Sequence, residues 1–258
     1  MIFRRLIAIG LPVVLGLMAC ASAPESPSPE PWRATPWAAQ SGVVLAGGQR
    51  VEPEQPASQW AHFRLPGKKA TEFSGSTHAG RDAMAVWAAS SASMLRRRVQ
   101  LAPDHLGRVR FSWNVPELIA TGDMSNRDFD DSPVRMVFAF DGDRTQFSPK
   151  NALLNELTLA LTGEPMPYAV LMYVWSKQRP LGTIIPSPRT DRIRKLVVES
   201  GPRRLNQWLD FERDLAADFE RAFQEPAGAL VGMGIMTDTD NTRTTARAWY
   251  GPLVVQAR

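Results

Sequence analysis

A chain of 258 residues, 44% hydrophobic and 22% charged, is long enough to bury one ordinary globular core with appendages. The net charge is +4, and Arg4 and Arg5 supply half of it, so the remainder is only mildly basic and carries no nucleic-acid footprint. With Cys20 its one cysteine, the chain has no means to form disulfides; once that thiol is lipidated, thiolate zinc sites and cysteine nucleophiles are excluded too.

The first stretch, "MIFRRLIAIGLPVVLGLMAC", joins two arginines to an apolar run too short for a comfortable membrane span. It reads as a secretion signal over residues 1–19. Leu17-Met18-Ala19-Cys20 resembles the lipobox of bacterial lipoproteins, with Met18 a less usual residue at its position, so Cys20 is the expected lipidation site. The alternative is an ordinary signal peptide cleaved nearby. Ala21, rather than Asp, after the cysteine favours the outer membrane. The expectation is an exported protein, lipid-anchored in the outer membrane with its domain facing the periplasm.

Residues 20–58 are rich in Pro, Ala, Ser and Glu without a sustained period, and read as a tether. Fully extended it would reach on the order of 100 Å at ~3.1 Å per residue. Trp32 and Trp37 lie within it, and both the membrane interface and the domain are open to them.

From 59 to 258 a single domain is expected. "WAHFRL", "RDAMAVWAAS", "RVRFSWNV", "VRMVFAFDGD", "YAVLMYVWS", "RKLVVES", "ALVGMGIMT" and "TARAWYGPLVV" alternate with period two between Pro, Gly, Asp and Asn clusters. The class they imply is all-β with inserted helices, an antiparallel β-sandwich or jelly roll. Arg96-Arg97-Arg98 on a strand would divide between the two faces. "SPKNALLNELTLALTGE" is expected to be a helix from Ser148-Pro149 to Gly163, and "RLNQWLDFERDLAADFERAF" a second one with an apolar stripe from Leu205 to Phe223.

Chemistry is harder to place. His62, His78 and His105 are too widely spaced for a local metal pair, and no HExxH or G-x-S-x-G stretch occurs. "SGSTHAG" has the composition of a loop. The glycines of "GMGIMT" lie in a strand-like run and do not form a dinucleotide fingerprint. "TDTDNT", residues 237–242, is no EF-hand, since Arg243 and Trp249 stand where Gly and Glu are needed. Asp238, Asp240 and Asn241 remain readable as turn chemistry, as oxygen ligands, or as a carboxylate pair ~6.5–7 Å apart along a strand. Arg135, set among aliphatic residues, needs a partner if buried, with Asp131 or Asp238 as candidates, or else serves a ligand. Trp113, Tyr173, Trp175 and Trp249 sit on expected strands, where rings either fill the core or stack on sugars.

"SASMLRRRV", "FSWNV", "DFDDSPVRMVFAFD", "YVWS", "WLDFERDLAADF" and "MTDTDNT" followed by "AWYG" occur in one order from Trp60 to the C-terminus. In this the chain resembles domain-of-unknown-function family 3047, bacterial exported proteins for which the resemblance implies no established activity. Pro252 stands where that pattern has an acidic residue, which weakens a structural calcium ion there. The fold also resembles carbohydrate-binding jelly rolls. The leading expectation is therefore non-catalytic binding of a carbohydrate or cell-envelope glycan, with no cofactor or metal, by Asp238, Asp240, Asn241 and Arg135 beside Trp113, Tyr173 and Trp175. The alternatives are a glycan hydrolase using Asp238 or Asp240 as acid or base, and a structural lipoprotein that binds protein partners.

Overall fold

Alternating burial along the strands splits the chain into two stacked sheets. The computed structural model describes residue 30, residues 32–51 and residues 59–258; the signal stretch and Cys20 lie outside them. In chain order come α1 (Pro36–Gln40), β1 (Gly42–Val44), β2 (Ala61–Arg64), β3 (Glu72–His78), β4 (Arg81–Ala89), β5 (Ala92–Leu101), β6 (Leu106–Asn114) and β7 (Ser132–Phe140). They are followed by α2 (Pro149–Thr162), β8 (Ala169–Ser176), β9 (Ile184–Pro186), β10 (Ile193–Ser200) and β11 (Trp208–Asp214). The chain ends with α3 (Leu215–Phe223), β12 (Leu230–Asp238), β13 (Thr245–Tyr250) and β14 (Val254–Ala257).

Among the described residues the first sheet runs β1-β14-β6-β13-β4-β3, with β11 on the other side of β6, and the second runs β2-β5-β12-β7-β8-β10-β9. Most pairs are antiparallel, as alternating strands joined by short turns require. Two are parallel: β1 with β14, and β8 with β10. Between the sheets Phe111 stacks on Tyr173 with ring centroids 5.5 Å apart, and Phe138 meets Tyr173 edge-on at 5.4 Å. These rings are the centre of the core.

Three local expectations change. The stretch from Leu205 to Phe223 is not one helix: residues 208–214 pair with β6 as β11, and only then does Asp214 cap α3 through the Ala217 N–H at 3.0 Å. The sequence there satisfies both periods, and the neighbouring strand decides. "SGSTHAG" is not a loop, since Ser74 to His78 belong to β3 and only Ala79 and Gly80 turn, with φ of 47° and 77°.

The third change concerns the tether, of which residues 32–51 pack on the domain. Thr35 caps α1, and β1 joins the first sheet. Trp37 is fully buried, its ring 4.7 Å from that of Trp60 and its Nε1–H donated to the Gly251 carbonyl at 2.9 Å. Two tryptophans offer more apolar area than a proline-rich composition suggests. The tripled arginines do divide, Arg96 and Arg98 to Glu164 on one face and Arg97 to the Ser41 and Val51 carbonyls on the other.

Because Trp37 closes the gap between the sheets, Trp37→Ala is expected to cost about 3–5 kcal/mol in urea unfolding. A loss under 1 kcal/mol would mean this segment is only laid against the surface.

Candidate functional site

Two regions carry chemistry, and they lie on opposite sides of the sandwich. The first contains the residues singled out by the sequence. Arg135 on β7 and Lys195 on β10 point away from the core, onto the outer face of the second sheet, yet both are buried. The segment 115–131, between β6 and β7, covers them and brings Asp130. Its Oδ1 accepts from Arg135 Nη2 at 3.0 Å and from Lys195 Nζ at 2.6 Å, and Lys195 also donates to the Met124 carbonyl at 2.7 Å. Asp238, at the end of β12, takes Arg135 Nε at 2.9 Å and the Ser132 N–H at 3.0 Å on its Oδ1.

Burial pushes the Asp238 carboxyl up to about 6, against the pull of Arg135 and with the help of Asp131. Burial and the Arg135 charge bring Lys195 down to about 8. A half-neutral carboxyl is what a general acid needs. Asp238, however, is closed off from solvent, so no substrate reaches it in this conformation.

The rest of "TDTDNT" is a tied turn. Asp131 accepts from the Thr242 N–H at 2.6 Å, the Thr242 hydroxyl at 2.7 Å and the Asn241 N–H at 3.3 Å. The Asn241 amide donates to the Arg127 carbonyl at 2.9 Å, and Asp240 pairs with Lys68. Asp131, Asp238 and Asp240 bring carboxylate oxygens within 4.8 Å of one another, each already engaged by these partners.

The aromatic half of the expected site is corrected. Trp113 and Tyr173 are fully buried in the core, where Tyr173 donates to Asp218 at 2.8 Å. Trp175 is 1% exposed, donates to the Gly201 carbonyl at 3.0 Å, and borders only a recess of about 20 Å³ that also touches Asp131. All three rings lie on the inward phase of β6 and β8, within the cluster between the sheets, so they are packing. The structure thus brings Arg135, Asp238, Asp240 and Asn241 together, and leaves Trp113, Tyr173 and Trp175 closed within the core.

The second region is the outward face of the first sheet. Register sets it: Trp249 lies opposite Asn114 and Ala85, Trp208 opposite Asn114, Trp87 opposite Arg247 and Glu72, and His78 opposite Arg81. Trp87 is 38% exposed. His78 stacks on Trp249 with centroids 3.7 Å apart and planes 6° from parallel, and lies 6.0 Å from Trp208. Arg247 reaches over Trp87 at 5.2 Å and Arg81 over Trp208 at 5.4 Å. Asn114 Oδ1 is buried beside these rings without a hydrogen-bond partner among the described residues.

From Trp208 the surface continues past the Arg81–Asp210 pair into an open groove of about 600 Å³ lined by Asp82, Arg110, Ser112 and Pro252. Pro252 sits where β13 and β14 part, after leaving their shared neighbour β6.

The family model described as "Protein of unknown function (DUF3047)" matches residues 58–254. The chain belongs to this family. No curated protein matches it significantly. Among solved structures it is similar to the xyloglucanase domain of NopAA from Sinorhizobium fredii, at 8% identity and a TM-score of 0.42 over 80% of this chain and 96% of that one. It is also similar to the family 11 carbohydrate-binding module of Lic26A-Cel5E from Clostridium thermocellum, at 8% identity and 0.38 over 81% and 97%. Endoglucanase 3 of Trichoderma harzianum gives 9% identity and 0.38 over 81% and 100%.

Within the matched region, the sequence reading gives Trp87 and Trp208 no ligand role and places His78 in a loop, although a signal exists for the tryptophans. In β4, Met84, Val86 and Ala88 occupy the inward phase, which leaves Trp87 in the outward one. Trp249 is likewise out of phase with Ala248 and Tyr250.

Removing Arg135 leaves Asp238 without its cation while Asp130 keeps Lys195, so Arg135→Met should cost about 3–5 kcal/mol in urea unfolding. Folded Asp238 keeps its proton up to about pH 6, whereas in the unfolded chain it loses it near 3.9. Across that window the folded state binds more protons, so this group makes stability fall as pH rises. Asp238→Asn should remove that component, seen as a difference in slope between the two unfolding-versus-pH profiles from pH 4 to 6.

Proposed function

We propose that this domain binds a carbohydrate chain of the cell envelope, without altering it, on the outward face of the first sheet. The observation that carries the reading is the placing of Trp87, Trp249 and Trp208 on that face. Folding alone favours the opposite phase, because indole left wholly or partly at the surface forfeits part of the gain of burial, and such a patch serves a partner. Flat apolar rings with polar groups at their edges suit the C–H faces and hydroxyls of sugars. Arg81, Asp210, Arg247 and Glu72 supply donors and acceptors around the rings.

The setting proposed with this activity is an exported lipoprotein of the outer membrane, acylated at Cys20, with its domain in the periplasm. The arginine-led apolar start and Leu17-Met18-Ala19-Cys20 support that reading.

Isothermal titration of the full chain against a panel of envelope polysaccharides tests the binding. At least one glycan should bind, and Trp87→Ala and Trp249→Ala should each weaken it tenfold or more with little change in Tm. Asp238→Asn should leave affinity unaltered, since that carboxyl is on the far side. If no glycan binds, or the tryptophan variants bind as well as the parent, the reading fails.

A further inference from the structure

Helix α2 is built inside out. Its start and stop are regular, with Ser148 accepting the Asn151 N–H and Gly163 closing it at φ 72°. At 100° per residue, Asn151, Asn155, Thr158 and Thr162 fall within one narrow arc, and it is this polar arc that faces the protein. Asn151 donates to Asp191 and accepts from the Thr190 hydroxyl at 2.8 Å, while Asn155 accepts the Met166 N–H at 3.0 Å. The hydroxyls of Thr158 and Thr162 return to carbonyls of the helix itself, each at 2.7 Å.

The opposite arc holds leucine. Leu153, Leu157 and Leu161, four apart and so in one row, are 71%, 52% and 60% exposed. Single exposed leucines are ordinary, but a row of them along a helix marks a contact surface. No helix among the described residues is long and apolar enough to cross a membrane, and α2, at 14 residues, would lie on one rather than span it.

The path of the chain indicates what covers this row. Arg33 donates to Gln59 at 3.1 Å, and Trp32 packs edge-on against His62 at 5.3 Å, so the N-terminal segment enters beside the start of β2. There Ala61 pairs with Arg96, and Arg96 and Arg98 hold Glu164, two residues beyond α2, at 2.6 and 2.5 Å. The chain therefore reaches the domain at the C-terminal end of α2. Glu30 follows Cys20 by ten residues, which span at most about 36 Å. An acyl group on Cys20 would hold this corner close to the bilayer.

We propose that α2 docks on the lipid surface, laying Leu153, Leu157 and Leu161 into the boundary between headgroups and acyl chains beside the anchor. This rests on the reading of Cys20 as the acylation site. Lys150 falls in the same arc, between Leu157 and Leu161, and matches anionic headgroups. A second copy fits less well: a ridge ~21 Å long and one side chain wide falls short of the roughly 800 Å² per partner that a stable interface buries. All of the contacts α2 makes here are on the side of the second sheet, so docking turns the tryptophan face of the first sheet away from the membrane.

The test uses the full chain, made in an exporting bacterial host and reconstituted into phosphatidylethanolamine–phosphatidylglycerol vesicles, with an environment-sensitive fluorophore on Leu157→Cys or, as a control on the first sheet, on Thr77→Cys. The expected result is a blue shift and quenching by brominated lipid at 157 and neither at 77, with Tm unchanged by either substitution. A probe at 157 that stays in water on an acylated chain overturns the proposal. So does shielding that appears without vesicles and grows with protein concentration, which would assign the row to a second copy. Intact mass reads the anchor separately. If Cys20 carries no acyl chains, the Leu157→Cys probe in a Cys20→Ser background, with vesicles added, still decides docking by the presence or absence of the shift.

Discussion

Two cations buried on the outer face of a sheet set the terms for the rest of this molecule. Arg135 and Lys195 stand where an antiparallel sandwich ordinarily meets water, and a segment of the chain has been laid over them. Buried charge without a partner is costly enough to unfold a domain, so the cover must supply carboxylates at the right positions. Asp130 does this from the covering segment and Asp238 from the end of β12. The same pairing fixes Asp131 next to the turn after β12, where it receives the N–H groups and hydroxyl that make "TDTDNT" rigid. One ionic knot thus joins the β6–β7 connection, the β12–β13 turn and the middle of the second sheet.

That solution divides the labour between the sheets. The second sheet has its outer face sealed over much of its area, with Val137, Val174, Val197 and Met236 forming a second apolar cluster beneath the cover. It has no surface left there for a flat ligand. Among the described residues the first sheet has no such cover, and its outward residues include the tryptophans, His78 and the arginines that reach over them. A site for a flat, hydroxylated ligand belongs on the sheet left open. Acidic residues close together in a sequence are weak evidence of chemistry when a cation is buried nearby, because balancing that cation is sufficient reason for them.

What the sequence could show about the site followed from how local each signal was. The need of Arg135 for a partner was readable from its aliphatic neighbours, and Asp238 was among the candidates; Asp130 and Lys195 were not, since nothing in one strand tells which segment will cover it. Trp113, Tyr173 and Trp175 read the same as Trp249 by type and strand context. Only the stacking of the sheets separates them, by turning Trp113, Tyr173 and Trp175 into the space between the sheets and Trp249 away from it. Trp208 was hidden for another reason, as its stretch carries helical and strand periods together and becomes β11 by pairing with β6.

The sequence by itself determined most, not all, of the strands of a two-sheet fold, the bounds of α2 through Ser148 and Gly163, the split of the three arginines and the family. Each of these rests on periodicity or capping within about a dozen residues, or on an ordered set of motifs. The tertiary structure alone decided which face of each sheet is covered, that Trp32 and Trp37 belong to the core, and that α2 points its leucines outward. Those outcomes depend on contacts between residues tens to hundreds of positions apart. Burial is a property of what lies opposite, and no local pattern contains it.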